Sequence, residues 1–515
     1  MRVGDETADP PLAAAVSGVR WTILTYAAGK VITLVATVVL ARLLVPADFG
    51  VVMLAFVMIN VIGLFGDLGL GATIVARQEL DRRELGTALT LVLASGALLG
   101  LLLAAAAAPL SDVVNEPRLR GVLIALAPIT MIGSFTWFYQ WLLQRDLEFR
   151  KRFFGFLAQT AVYAVVAIAA AASGAGVWSI VAGHLAGQTA MALVFAAVAD
   201  RVWPRFDRAT ARSLLRSSKG FLLQNTAMLG QQNIDYIAVG HSLGSTPLGL
   251  YSMAFRLSEL PVLAIADPVT KVTFPTFSRM RAAGEDVRGH YLTTLRTVAL
   301  LTAPWGVLLS AVARPFTAVA YGPRWAAMVG TLSLLAIWGA AKSIQSTIEW
   351  FVNAIGGPGV VGAIAAVMVA LQLPALFVAA DRGGIAAVAW VLLVAVGVSA
   401  TALVTALGRR ANIGLRSHAS VLWPVVAASG AEWLAARAVV TTFRFPPFVQ
   451  CLAGAATGAS VYLALISVLA PGSVGYVVGL ARRAAKGDAA AVLGGGPVAP
   501  DAAGSEVLGQ IEGLV

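Results

Sequence analysis

Between Val31 and Ala470 the chain alternates apolar runs of about twenty residues with short polar interruptions. A helical run of that length crosses the hydrocarbon core of a bilayer, roughly 30 Å. Fourteen such segments are expected: 20–44, 48–70, 85–109, 119–143, 153–173, 177–198, 217–240, 247–275, 292–320, 325–352, 359–380, 384–407, 418–437 and 448–470. Twelve is the alternative count if neighbours merge. Backbone groups in lipid must be bonded internally, so the pattern predicts an all-α polytopic membrane protein.

One interruption is written twice. "ARLLVPADFGVVMLAF", Ala41 to Phe56, returns as "GHSLGSTPLGLYSMAF", Gly240 to Phe255. Leu44 matches Leu243, Gly50 matches Gly249, and Ala55-Phe56 match Ala254-Phe255. Six segments separate the copies, an even number, so both point the same way through the membrane. That predicts a parallel repeat: two six-helix lobes related by an axis along the membrane normal, with two further C-terminal helices. Gly50 and Gly249 are expected to relieve crowding where the chain turns. The expected division is a tail 1–17, an N-lobe 18–199, a basic linker 200–216, a C-lobe 217–407, helices 13 and 14 over 408–470, and a tail segment 471–515.

Composition sharpens this picture. The 515 residues are 58% hydrophobic and only 12% charged, against about 25% charged in soluble domains. The net charge of +11 resides mostly in short loops, where basic residues report topology rather than nucleic-acid binding. With the N-terminus and alternate loops taken as one side, that side holds twenty-five Lys and Arg against eight on the other. Both termini are therefore expected in the cytoplasm. The start, with Asp5, Glu6 and Asp9 ahead of any apolar run, lacks the layout of a cleaved signal. "DRATARSLLRSSKG", Asp207 to Gly220, reads as an interfacial amphipathic helix.

Metal and nucleotide chemistry find little support. Cys451 is the single cysteine, and His184, His241, His290 and His418 have no ligand spacing. No Gly-rich phosphate loop occurs, so neither a cofactor nor direct ATP coupling is expected.

The informative residues are polar ones inside the apolar runs, which need a partner or water. Lys30 lies about 15 Å into segment 1. Segment 7 carries Gln224, Met228, Gln231 and Asp235 on one helix face, with Asn225 and Gln232 alongside. Segment 8 places Arg256, Glu259, Asp267 and Lys271 within a third of its circumference, and Pro261 and Pro268 predict a kink there. Segment 10 aligns Lys342, Gln345, Ser346 and Glu349. A plain account pairs Arg256 with Glu259 and Lys342 with Glu349 within their own helices, and lets Lys271, Glu349 and Asp67 snorkel. Together, however, the stripes predict a hydrated cavity between the lobes. Lys30, Arg256 and Lys342 show no carboxylate at equal depth in the sequence. Such a cavity suits a phosphate or diphosphate.

These residues resemble a known family. "LARLLVPADFGVVMLA" followed by "DLGLGATIVARQEL" is similar to the first helical hairpin of bacterial polysaccharide flippases of the multidrug/oligosaccharidyl-lipid/polysaccharide exporter superfamily. "WLLQRDLEFRKR", Trp141 to Arg152, resembles the end of helix 4 in the lipopolysaccharide and exopolysaccharide branch. "DYIAVGHSLGSTPLGLYSMAFRL" resembles its helix 7–8 hairpin. The resemblance implies alternating access of two lobes, carrying undecaprenyl-diphosphate-linked oligosaccharide across the bacterial inner membrane. It also implies H⁺ or Na⁺ coupling, contact with membrane lipid, and polysaccharide polymerase or export proteins as partners.

On that basis Lys30, Arg256 and Lys342 are expected to hold the diphosphate. Gln224, Asn225, Gln231 and Gln232 would meet sugar hydroxyls, and Asp235, Glu259 or Asp267 would couple the ion. The alternatives are a multidrug antiporter of the same superfamily, transport of a lipid-linked peptidoglycan precursor, and an integral-membrane glycan polymerase or ligase. An antiporter for cationic drugs would favour an acidic, aromatic cavity. A polymerase or ligase would need a catalytic group on a substantial outer loop.

Overall fold

The computed structural model describes residues 29–63, 70, 71, 74, 80–284, 286–472, 475 and 479, apart from the side chains of 217–232, 271, 272, 274, 275 and 282. The first helix, α1, covers 29–43 of these, and α2 spans Pro46–Gly63. Then follow α3 (Arg82–Val113), α4 (Pro117–Leu126), α5 (Pro128–Arg145), α6 (Phe149–Ala172) and α7 (Val177–Val198). The second half begins with α8 (Arg208–Leu243) and α9 (Ser245–Ser258), then α10 (Asp267–Ala282), α11 (Val287–Ala311), α12 (Ala313–Ala320) and α13 (Val329–Ala354). The series ends with α14 (Pro358–Ala411), α15 (Leu415–Thr442) and α16 (Pro447–Leu469). Every described element is helical, and eleven helices among the described residues are long and apolar enough to cross a membrane. The chain is an all-α, multi-pass membrane protein.

Local sequence sets the starts of these helices. Pro117, Pro128, Pro358 and Pro447 stand in the first turn, where a missing N–H costs nothing. Asp81 and Glu84 form a reciprocal capping box at the start of α3. Asp207 caps α8 by accepting from the Thr210 amide at 2.9 Å. From that cap α8 runs through 36 residues. The segment expected as a separate interfacial helix is thus continuous with segment 7.

Two expected interruptions take specific forms. With 54 residues, α14 would reach about 81 Å as one straight rod. Gly384, at φ 64°, breaks it into two arms that fold back on each other, so that Leu371 and Trp390 line one groove and Ile364 and Thr405 another. The kink expected from Pro261 and Pro268 is a π-helical turn, Val262–Ala266, lying between the two prolines.

The repeated stretches meet each other. Helix α2 packs along α9, and each begins next to the other's glycine. A Cβ on Gly50 would collide with the Ser245 carbonyl, and one on Gly249 with the Pro46 carbonyl. Residue 245 is the repeat counterpart of residue 46, and 249 that of 50. The contact is therefore reciprocal, as at an interface between two related surfaces. Both glycines lie inside helices rather than in the turns where they were expected. Their task is close approach of backbone to backbone. Around this contact lies the largest buried core, joining Leu44, Val51, Val239, Leu248 and Tyr251.

Candidate functional site

Five of the sequence-predicted residues converge between the two halves. Glu259 caps the C-terminal end of α9, three residues before the π-turn, and Asp267 begins α10 after it. Lys30 of α1, Arg256 of α9, Lys342 of α13 and Asp267 all lie within electrostatic reach of Glu259. The three cations therefore share one carboxylate, Glu259, which depth along separate helices did not bring out. Among these five described residues three are cations and two are carboxyl groups. Arg256 is exposed, Lys342 half-buried, and Lys30 exposed.

The intrahelical pairs do not form: neither Arg256–Glu259 nor Lys342–Glu349 is among the ion pairs within 4 Å of the described residues. Lys342 Nζ instead donates to Gln345 Oε1 at 3.3 Å. Gln345 Nε2 in turn donates to Ser399 Oγ at 2.8 Å, tying α13 to the second arm of α14. Asp235 is set apart. It is buried in the α8–α9 interface, where the Tyr251 hydroxyl donates to it at 2.6 Å. The side chains of Gln224, Asn225, Gln231, Gln232 and Lys271 lie outside the described residues, as do Asp67 and residues 1–28.

Opposite Arg256 the first half contributes a wall that the sequence did not reveal. A small cleft brings Arg256 and Ser252 of α9 against Met53 of α2, Tyr163 of α6 and His184 of α7. His184 sits between Phe56, which it meets edge-on, and a tilted Tyr163, each ring centroid 4.5 Å away. His184 was set aside as lacking metal-ligand spacing. Its signal was a lone imidazole at mid-helix, facing an arginine in the other half.

At the starts of α2 and α9 the two halves also meet through polar contacts. Arg118 pairs with Glu116 at 2.9 Å and with Asp48 at 3.5 Å. The Ser245 hydroxyl donates to Glu116 at 2.5 Å, across the two halves. Burial raises the Glu116 carboxyl, yet the hydrogen bonds from Arg118 and Ser245 outweigh it and hold the group below its ordinary value of 4.5. Nearby, Arg42 at the end of α1 donates to the carbonyls of Ala318, Val319 and Ala320, where the α12 dipole ends negative. Trp325 Nε1 donates to the Ala41 carbonyl at 2.8 Å. Among the described residues no group of three or more His, Cys, Asp or Glu is arranged to hold a metal.

Known proteins share both the sequence and the fold. The teichuronic acid biosynthesis protein TuaB of Bacillus subtilis is 27% identical over 345 residues, 63% of this chain and 68% of that protein. The succinoglycan biosynthesis transport protein ExoT of Rhizobium meliloti is 27% identical over 351 residues, 66% and 69% of the two chains. Among solved structures, a lipid II flippase MurJ in an inward closed conformation superposes with a TM-score of 0.72 at 15% identity, over 88% of this chain and 98% of that one. An inward-facing multidrug resistance MATE family transporter of the MOP superfamily superposes with a TM-score of 0.57 at 14% identity, over 79% and 95%. The polysaccharide biosynthesis protein family model matches residues 39–330, the stretch that holds the reciprocal hairpins, Arg256 and Glu259, and the chain belongs to that family.

Proposed function

We propose that the protein is a flippase for undecaprenyl-diphosphate-linked oligosaccharide in the bacterial inner membrane, supplying repeat units for an exported polysaccharide. The observation that carries this reading is the cationic cluster of Lys30, Arg256 and Lys342 between two related halves of a polysaccharide biosynthesis protein. In the proposed cycle the diphosphate is screened by these cations while the isoprenoid tail stays in lipid. Gln224, Asn225, Gln231 and Gln232 would hydrate the glycan, sparing its hydroxyls the cost of desolvation. Glu259 and Asp267, with Asp235 behind them, are the proposed carboxylates of ion coupling by H⁺ or Na⁺. Glu259 and Asp267 stand on either side of the π-turn, so an ion bound there would act on the hinge between α9 and α10. The loop charges support a cytoplasmic location for both termini.

The test uses full-length protein in proteoliposomes carrying labelled undecaprenyl-diphosphate oligosaccharide in one leaflet. A glycan-cleaving enzyme added outside reports exposure. Wild type should expose the label faster than empty vesicles. Arg256→Ala should slow it, because it removes one of the cations proposed to screen the diphosphate. Wild-type protein, shown to be folded, that exposes label no faster than empty vesicles would sink the proposal.

A further inference from the structure

Away from the cationic cluster, the two C-terminal helices hold a buried acid with nothing to neutralise it. Glu432 is 1% exposed, and its Oε2 has no hydrogen-bond partner. It lies ten residues from the end of α15, about 15 Å along the axis and near the middle of the expected bilayer. Ser429, one turn earlier on the same face, is also buried, and its hydroxyl is likewise unpartnered. Two polar groups left unsatisfied side by side at this depth demand an occupant or a function.

The surroundings are built from three helices. From α11 come Leu308 and Ser310, and the Trp433 indole donates to Ser310 Oγ at 3.4 Å. From α16 comes Gly458, whose missing side chain makes room: a Cβ there would press on Leu308 and on Glu432 Cγ. Tyr462, also on α16, senses Glu432 electrostatically. The other charged or titratable groups on the packed elements lie elsewhere. On α11 they are Arg288, His290, Tyr291 and Arg296, at least fourteen residues from Ser310. Arg314 of α12 is exposed. Cys451 of α16 is two turns from Gly458. On α15 itself Arg416 and His418 sit at its start, and Arg437 points about 140° away round the helix. The described residues give Glu432 no ion pair within 4 Å.

We infer that Glu432 is a proton-binding site at the joint between the second half and the C-terminal helix pair, loaded in this closed arrangement and discharged when the joint opens. An isolated buried carboxylate is far too costly to retain its charge, so the closed site holds the neutral acid. Opening of the α11–α15–α16 joint admits water. The O–H bond then breaks, the proton passes to water, and the carboxylate keeps the electron pair. A single carboxyl with one serine hydroxyl offers too few oxygens for a dehydrated sodium ion, which is why the occupant is a proton.

The experiment has two arms, and only the second rests on the transport reading. Infrared difference spectra of full-length protein in nanodiscs, wild type minus Glu432→Gln, should show a protonated-carboxyl C=O band at neutral pH that shifts on deuteration. Raising the pH should remove that band as the acid gives up its proton. A missing band, or one that does not change with pH, would overturn the site. In proteoliposomes, an imposed pH gradient should accelerate wild-type flipping, and Glu432→Gln should reduce that acceleration relative to the variant's own rate without a gradient. Glu432→Asp should keep part of it. Equal acceleration in wild type and Glu432→Gln would overturn the proposal. If wild type does not flip at all, the transport reading falls and the infrared arm alone decides the site.

Discussion

Gly50 and Gly249 are the residues on which closure of the two halves turns. Each faces a backbone carbonyl of the other hairpin, so a side chain there meets something that cannot rotate away. Overpacking of this kind costs about 1–3 kcal/mol, which lowers the closed-to-open ratio by roughly 5- to 160-fold. Gly50→Ala and Gly249→Ala should have similar effects, because the contact is reciprocal. Spin labels at Val45 and His241, both exposed, would report it in a Cys451→Ser background. The distance distribution should move to longer separations in either variant. An unchanged distribution in both would show that the hairpins already part at this point without cost.

Among elements, α11 and α16 are bound together by a proline. Pro304 lies inside α11 and cannot donate to the Leu300 carbonyl four residues earlier. The buried Tyr462 hydroxyl of α16 donates to that carbonyl at 2.9 Å. Tyr462→Phe should therefore leave a buried acceptor unpaired and cost about 1–3 kcal/mol. In Pro304→Ala the helix can form its own bond to Leu300. The double variant Pro304→Ala/Tyr462→Phe should then lose less than the sum of the single changes. Thermal unfolding in detergent measures all three, and strict additivity would refute the link.

That pair also shows where sequence reading stopped. Apolar length gave the all-α, multi-pass character, and the stretches 41–56 and 240–255 pointed to the two hairpins that meet, because both signals are local in the chain. Lys30, Arg256, Lys342, Glu259 and Asp267 were legible as costly residues in apolar runs. Their sharing of Glu259 was not, since depth along separate helices says nothing about rotation round them. Glu432 and Tyr462 escaped notice for the same reason. Each stands alone in its segment, and its meaning comes from the neighbour across the interface.

In the whole molecule, closure on the hairpin face combines the reciprocal glycines with the Asp48–Arg118–Glu116–Ser245 chain. The glycine contact carries no charge, whereas the chain does, so pH separates them. Glu116 in the closed state titrates below its ordinary value of 4.5, because hydrogen bonds from Arg118 and Ser245 more than offset its burial. A depressed carboxyl stabilises the closed state fully above its ordinary value, and that contribution fades as pH falls through the depressed one. Closure should thus be constant across neutral pH and weaken only in acid. Glu116→Gln imitates the protonated form and should show the weakened closure at every pH. Ser245→Ala removes one of the hydrogen bonds and should move the acid transition to higher pH. The Val45–His241 spin-label distance, followed from neutral to acid pH, tests both. A wild-type distance that stays constant in acid while Glu116→Gln matches it would leave closure to the apolar contact alone.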